Sequence, residues 1–160
     1  MKLNSIFLAG FCIPFLLGCT TKSSYNGAKI VLKYVENGAL VTVTPDDMYN
    51  MTVTNKESNI FILGNDNCGS CKSAKNTLSA YSQVNHCNTY YVNIKNITTA
   101  ELTTIQKATA GNYMFGEKDS VPAIYFMYQG DVAFRTGDSE LTNYLETYVE
   151  VAKPTSSVDQ

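Results

Sequence analysis

The sequence has no cluster of basic residues and no apolar run long enough to cross a bilayer comfortably. Twelve lysine and arginine residues stand against 14 acidic residues, so the formal charge of −2 is close to neutral and nucleic acid is not an expected partner. The apolar stretch at residues 6–17 is short and is interrupted by Gly10 and Pro14. There are no internal repeats and no second-domain boundary. With 160 residues, 44% of them hydrophobic, the chain suits one globular domain.

Tryptophan is absent and histidine occurs only once, whereas the sequence contains five cysteines. Four potential zinc ligands are present: Cys68, Cys71, His86 and Cys87. Structural zinc sites normally use a second spaced pair, and the adjacent His86 and Cys87 would have difficulty turning both side chains onto one metal. Zinc is therefore the weaker alternative, and we expect neither a metal nor an organic cofactor.

Residues 1–18 have the features of an export signal. Lys2 supplies the positive start, the apolar stretch follows, and the small Gly18 precedes Cys19. The junction LLGC at residues 16–19 resembles the lipobox of bacterial lipoproteins. This resemblance implies lipid transfer to the Cys19 sulfur, cleavage before it, and anchoring at the outer face of the cytoplasmic membrane. Residues 19–28 would then form a lipidated tether, residues 29–152 the folded domain and residues 153–160 a disordered tail.

The middle of the chain predicts alternating strands and helices. Residues 60–63 are apolar at every position, which is typical of a central strand covered on both sides. Residues 72–84 have helical spacing, and residues 90–94 form the next predicted strand. A strand, a helix and a strand in this order imply parallel pairing through a right-handed crossover. Residues 98–101 match a capping box that begins a further helix.

The two ends of the domain are also expected to contain strands. Residues 29–35 and 40–43 are joined by Asn37-Gly38, which predicts a hairpin or a bent edge strand. Residues 121–128 and 132–135 predict a second hairpin. A terminal helix follows, with its apolar positions at Leu141, Tyr144, Leu145, Tyr148 and Val149.

Cys68 and Cys71 lie between the predicted central strand at residues 60–63 and the predicted helix at residues 72–84. The unpaired N–H groups of a helix start stabilise a thiolate, and two thiols at this spacing can close a small disulfide. One stripe of this helix is predicted to face the core and contains Cys71, Ala74, Leu78 and Tyr81. Cys68 precedes this stripe, on the loop side. We therefore predict that Cys68 attacks the substrate disulfide and that Cys71 resolves the resulting mixed disulfide. Gly69 lets a partner's backbone approach, and Ser70 offers a hydroxyl to the free amides.

Two further readings of the cysteines remain open. A purely structural Cys68–Cys71 disulfide would contribute little, roughly 2 kcal/mol, because so short a loop loses little freedom. Once the signal is removed and Cys19 is lipidated, Cys87 is left as an odd thiol. It suits a small buried apolar residue, with intermolecular pairing or a regulatory thiol as alternatives.

The order of elements, the Cys68-Gly69-Ser70-Cys71 motif and Val121-Pro122 together resemble the thioredoxin superfamily. The resemblance implies an α/β single domain with a central mixed β-sheet flanked by helices. It also implies that Pro122 is cis and holds the backbone of Val121 beside Cys68, where it can pair with a substrate strand. With Lys56-Glu57-Ser58 before the central strand, the chain also resembles thioredoxin-fold proteins of Gram-positive bacteria that act as bacteriocin-transport accessory proteins.

Three positions depart from thioredoxin itself. Asn67 replaces the tryptophan before the first cysteine, and Ser70 replaces the proline before the second. Ile62 occupies the position of a buried acid that is thought to assist proton transfer. These differences argue against a general cellular electron donor and favour a dedicated extracytoplasmic role.

The sequence thus predicts a lipid-anchored thiol–disulfide oxidoreductase outside the bacterial cell membrane. Its expected partners are the thiols and disulfides of exported proteins or peptides, a membrane redox partner, and the membrane itself through the lipid anchor. The alternative is a non-catalytic binding module that holds a secreted peptide such as a bacteriocin, with an inert disulfide.

Overall fold

The computed structural model describes residues 25–113 and 121–154. The described strands are β1 (Ile30–Leu32), β2 (Leu40–Val43), β3 (Ile60–Gly64), β4 (Thr89–Asn93), β5 (Ala123–Tyr128), β6 (Asp131–Thr136) and β7 (Val149–Val151). The described helices are α1 (Pro45–Tyr49), which continues into a π-helical turn (Asn50–Thr54), α2 (Gly69–Asn85), α3 (Thr99–Ala108) and α4 (Leu141–Tyr148).

A five-stranded mixed sheet forms the centre of the domain, in the order β2-β4-β3-β5-β6. β2, β4 and β3 are parallel, whereas β5 and β6 join antiparallel as a hairpin. Ile62 of β3 lies between Tyr91 of β4 and Ile124 of β5. All residues of β3 are buried, which confirms the predicted central strand and its parallel pairing with β4.

Helices cover both faces of this sheet, because successive strand side chains point to opposite sides. On one face Ile60, Ile62, Ile124 and Phe126 share a core with residues of α2 and α4. On the other face Phe61, Leu63, Tyr125 and Met127 share a core with residues of α1 and α3. The predicted central mixed sheet flanked by helices is confirmed.

Helices α1 and α3 begin with the same side-chain arrangement. Thr98 accepts a hydrogen bond from the amide of Glu101, whose carboxylate accepts one from the Thr98 amide, so the predicted capping box is formed. Thr44 and Asp47 repeat this pattern at the start of α1. Each box satisfies amides that a helix start leaves unpaired.

Of the two arrangements predicted for residues 29–43, the hairpin is wrong, whereas an edge strand is present at β2. β1 pairs in parallel with β7, and β2 pairs in parallel with β4 as an edge strand of the central sheet. The glycine at residue 38 has a different role, since a Cβ there would overlap backbone atoms of Ser82 and Cys87. This glycine permits a close approach to the end of α2 and does not form a hairpin turn.

The last helix is shorter than the apolar pattern predicts. α4 ends at Tyr148, and Val149, which was assigned to the helix, is extended and begins β7. The register pairs Val149 with Ile30 and Val151 with Leu32. An apolar valine fits either a helix face or a strand, so the partner strand decides between them.

Candidate active site

Cys68 and Cys71 form a disulfide where β3 leads into α2. Their Cα atoms are 5.2 Å apart, which lies in the ordinary range for bonded cysteines. β3 is completely buried and α2 is the longest described helix, so the two cysteines are held between rigid elements. The predicted pairing of these two residues is therefore present.

The start of α2 surrounds the Cys68 sulfur with hydrogen-bond donors. Cys68 is the N-cap residue, and the amide of Cys71 lies 3.1 Å from its Sγ. The Ser70 hydroxyl lies 3.3 Å from the same sulfur. The predicted interaction of the Ser70 hydroxyl with the free amides differs from the structure, where this hydroxyl contacts the Cys68 sulfur. Both groups and the positive end of the helix favour a thiolate at this position.

The two sulfurs differ in their access to solvent, as the helical stripe predicts. Cys71 is completely buried, together with Ala74 and Leu78 of the same helix face. Cys68 is half-buried, and the neighbouring Gly69 is exposed with open space around its Cα. An incoming disulfide can therefore reach Cys68 but not Cys71.

Val121 and Pro122 lie beside the disulfide although they are distant in sequence. The peptide bond between them is cis, as the family resemblance implies. The carbonyl oxygen of Val121 is 3.5 Å from the Sγ of Cys68. Next to Pro122 is an open pocket of about 420 Å³, lined also by Arg135, Thr136, Gly137 and Glu140. The site thus has a backbone carbonyl beside its accessible sulfur, and the pocket lies on the Pro122 side of this backbone.

A second set of residues contacts the buried side of the site and was not predicted. A Cβ on Gly64 would lie 3.0 Å from the Sγ of Cys71 and 3.6 Å from Cε2 of Tyr91, so both side chains approach Gly64 closely. The Tyr91 hydroxyl donates to Asp66 at 3.2 Å. Lys75 forms an ion pair with Asp66 at 3.3 Å and lies 4.0 Å above the Tyr91 ring.

Part of this cluster could have been found from spacing. Lys75 is four residues after Cys71, and residues four apart on a helix lie on the same face. The contacts with Tyr91 and Asp66 depend on how β4 packs beneath α2, which no local pattern reveals.

Hydrogen bonds and burial change the acidity of this cluster. The pKa of Asp66 is lowered, first by its hydrogen bond with Lys75 and then by that with Tyr91. Burial, reinforced by the neighbouring Asp66, raises the pKa of Tyr91 to about 12. Ile62 is completely buried and apolar, so β3 contributes no acid at that position.

His86 and Cys87 are separated from the disulfide by the length of α2. The helix has 17 residues, which corresponds to about 25 Å. The four potential zinc ligands therefore do not meet, and residues 25–113 and 121–154 contain no group of three potential metal ligands. Cys87 is a free thiol, completely buried in the core, which confirms its interpretation as a small apolar residue.

Cys19 and the proposed signal segment lie outside the described residues. Within the described part of the chain, no helix has the length and apolar character needed to cross a membrane.

The structure is similar to those of two plant thioredoxins, both crystallised in the oxidized state. Thioredoxin O1 from Arabidopsis thaliana is 18% identical, with a TM-score of 0.50, and the match covers 70% of this chain and 99% of that one. Thioredoxin O2 from the same plant is 12% identical, with a TM-score of 0.50 and coverage of 71% and 96%. Neither a family model nor a curated protein matches the sequence. The chain therefore has a thioredoxin-like fold with a C-x-x-C disulfide at the start of α2.

Proposed function

We propose that this protein is a thiol–disulfide oxidoreductase that acts on exported proteins at the outer face of the bacterial cell membrane. One observation carries the proposal: the two bonded sulfurs differ in access, with Cys68 half-buried at a helix start and Cys71 completely buried behind it. A structural disulfide does not require this difference, whereas an exchange reaction needs one attacking and one resolving thiol.

The reaction proceeds in two exchanges. The Cys68 thiolate attacks one sulfur of a substrate disulfide, forming a mixed disulfide and releasing the other substrate sulfur as a thiolate. Cys71 then attacks Cys68, so that the 68–71 disulfide forms and the second substrate thiol leaves. The substrate gains two electrons and two protons, and the dithiol loses them. The same steps in reverse oxidise a substrate dithiol.

Val121 and Pro122 are proposed to hold the substrate during both exchanges. The backbone beside the Cys68 sulfur suits an extended segment of polypeptide, which can add hydrogen bonds to exposed backbone groups. Gly69 leaves space for that segment, because nothing lies within 4 Å of the position its Cβ would take. No cofactor is required, since the electrons pass between sulfur atoms.

The proposed location follows from the N-terminal sequence. The lipobox-like junction before Cys19 supports a lipid anchor outside the cytoplasmic membrane. Disulfides persist in that oxidising compartment, so substrates for exchange are available there. A membrane redox partner would return the dithiol to its starting state. If Cys19→Ala leaves the protein in the membrane fraction of the producing cell, this anchor is wrong.

A trapping experiment tests the assignment of the two cysteines. In Cys71→Ser the mixed disulfide on Cys68 cannot be resolved, so covalent complexes with exported proteins should accumulate on non-reducing gels. Cys68→Ser is the matched control and should form few complexes, because its remaining thiol is buried. Equal trapping by both variants would refute the roles. Absence of complexes, together with no reduction of insulin by the unaltered protein, would instead support the binding module.

A further inference from the structure

Lys75 is held in a defined position one helical turn after Cys71. Its ammonium group forms the ion pair with Asp66 and lies above the ring of Tyr91, so it is fixed by two neighbours. Its side chain is 30% exposed, whereas that of Asp66 is 58% exposed. The lysine therefore lies at the border between the solvent and the buried part of the site.

Tyr91 connects this cation with the buried sulfur. Tyr91 is 3% exposed, and both its Cε2 atom and the Cys71 Sγ lie within 4 Å of the position that a Cβ on Gly64 would take. The Tyr91 hydroxyl donates to the same Asp66 oxygen that accepts from Lys75. The side-chain Nδ2 of Asn93 donates to the other oxygen at 3.3 Å, which fixes the carboxylate further. The Lys75 charge is thus held over the ring that flanks Cys71.

Cys71 must be a thiolate to attack in the second exchange, and its surroundings oppose this. Burial disfavours a thiolate, and the apolar Ile62 leaves β3 without a group that could accept the proton. Asp66 is a poor proton acceptor, because its hydrogen bonds with Lys75 and Tyr91 lower its pKa. A fixed positive charge can still favour the thiolate electrostatically.

We propose that Lys75 is a positioning residue for the second exchange: held by Asp66 and Tyr91, its ammonium group stabilises the Cys71 thiolate that attacks the mixed disulfide. The proposal rests on the function proposed above. In this step the Cys71 proton passes to water, the Cys71–Cys68 bond forms and the bond from Cys68 to the substrate breaks. The substrate leaves as a thiolate and takes a proton from water.

Several charged or titratable groups surround this thiol and its cluster, and each can contribute to its pH dependence. Lys75 lies on α2 and Tyr91 lies on β4. Asp66 and Cys68 follow β3. Lys95 follows β4, and its charge also acts on Asp66. The test therefore compares lysine variants of one helix, so that the other groups stay constant.

Dithiobis-nitrobenzoate separates the two exchanges in one measurement. One equivalent added to the reduced full chain releases a first coloured thiolate when Cys68 attacks and a second when Cys71 resolves the adduct. Every sample carries Cys12→Ala and Cys19→Ala, so that these thiols do not compete. The rate of the second release against pH gives the apparent pKa of Cys71.

Lys75→Met removes the charge and keeps a side chain of similar length. We expect the first release to change less than twofold and the midpoint of the second release to rise by about one pH unit. A rise of this size leaves about tenfold less thiolate at neutral pH, but a more basic thiolate is a better nucleophile. The second release should therefore slow by about three- to fivefold.

Two variants provide the controls. Lys72→Met makes the same charge change at an exposed position next to Cys71 and should alter the second release less than twofold. Lys75→Arg keeps the charge and should behave like the unaltered protein. Equal effects of Lys75→Met and Lys72→Met, or equal slowing of both releases, would overturn the inference while the proposed function stands. Absence of any second release from the unaltered protein would overturn both.

Discussion

The Sγ of Cys68 lies 3.5 Å from the carbonyl oxygen of Val121, a residue 53 positions later in the chain. This contact joins the start of α2 to the loop before β5. The accessible sulfur is thereby placed beside backbone groups that a substrate segment can reach. A mixed disulfide formed at Cys68 would hold the substrate chain against Val121 and Pro122, which explains why exchange at this site would suit polypeptides.

Ser70 is expected to tune the redox potential of the dithiol through its contact with Cys68. Ser70→Ala removes a donor 3.3 Å from the sulfur, so the reduced form loses stabilisation of its thiolate. A hydrogen bond of this kind contributes about 1 kcal/mol. The pKa of Cys68 should rise, and the midpoint potential should become more negative by about 20 mV.

Equilibration with glutathione buffers measures this potential. Ser73→Ala is the matched control, because Ser73 is exposed on the same helix and is not a contact of the sulfur. A potential that stays constant, or that becomes more positive, would show that the Ser70 hydroxyl does not stabilise the thiolate.

Gly64 is expected to be required for the packing of Cys71. In Gly64→Ala the new methyl group would lie 3.0 Å from the sulfur and 3.2 Å from the Cβ of Cys71. The cysteine cannot move freely because it is bonded to Cys68, so the added group overpacks the site. Overpacking of this kind destabilises a protein by roughly 1–3 kcal/mol. Urea unfolding of the oxidised protein measures the loss.

Gly69→Ala makes the same chemical change in open space and serves as its control. Alanine is favoured over glycine in a helix, so this variant should be unchanged in stability or gain up to about 1 kcal/mol. If the two variants unfold at the same urea concentration, close packing above Gly64 does not matter for stability.

Cys87 is expected to make the fold sensitive to alkaline pH. Burial raises the pKa of this thiol from 9.0 to about 11, so the folded state holds its proton more tightly than the unfolded chain does. The resulting stabilisation is complete below about pH 9 and is lost as the pH rises to about 11. The free energy of unfolding should fall by on the order of 2 kcal/mol across this interval.

Cys87→Ala removes this contribution, together with the smaller effect of the Cys87 charge on the pKa of Tyr81. The variant should start from a lower stability, since it loses buried volume, but should decline less steeply over the same pH interval. Burial also raises the pKa of Tyr81 and of Tyr91 to about 12, and their contribution is lost at higher pH in both proteins. Parallel curves for the two proteins would contradict the role of Cys87.

Features that depend on neighbours along the chain could be predicted from the sequence alone. The apolar run of β3, the capping box at Thr98 and the helix stripe containing Cys71 all follow from local spacing, and each is present in the structure. Local spacing also predicts which cysteine is accessible, because residues before a helix and residues on its inner face have different surroundings.

The contacts between segments that are distant in the chain could be found only from the tertiary structure. Glycine at residue 38 is compatible with a hairpin turn, but in the structure it lies close to the end of α2, and β1 pairs with β7 instead of β2. The Lys75, Asp66 and Tyr91 cluster likewise depends on β4 packing beneath α2. These contacts join residues far apart in the chain, so their formation depends on the packing of the whole domain and not on any one segment.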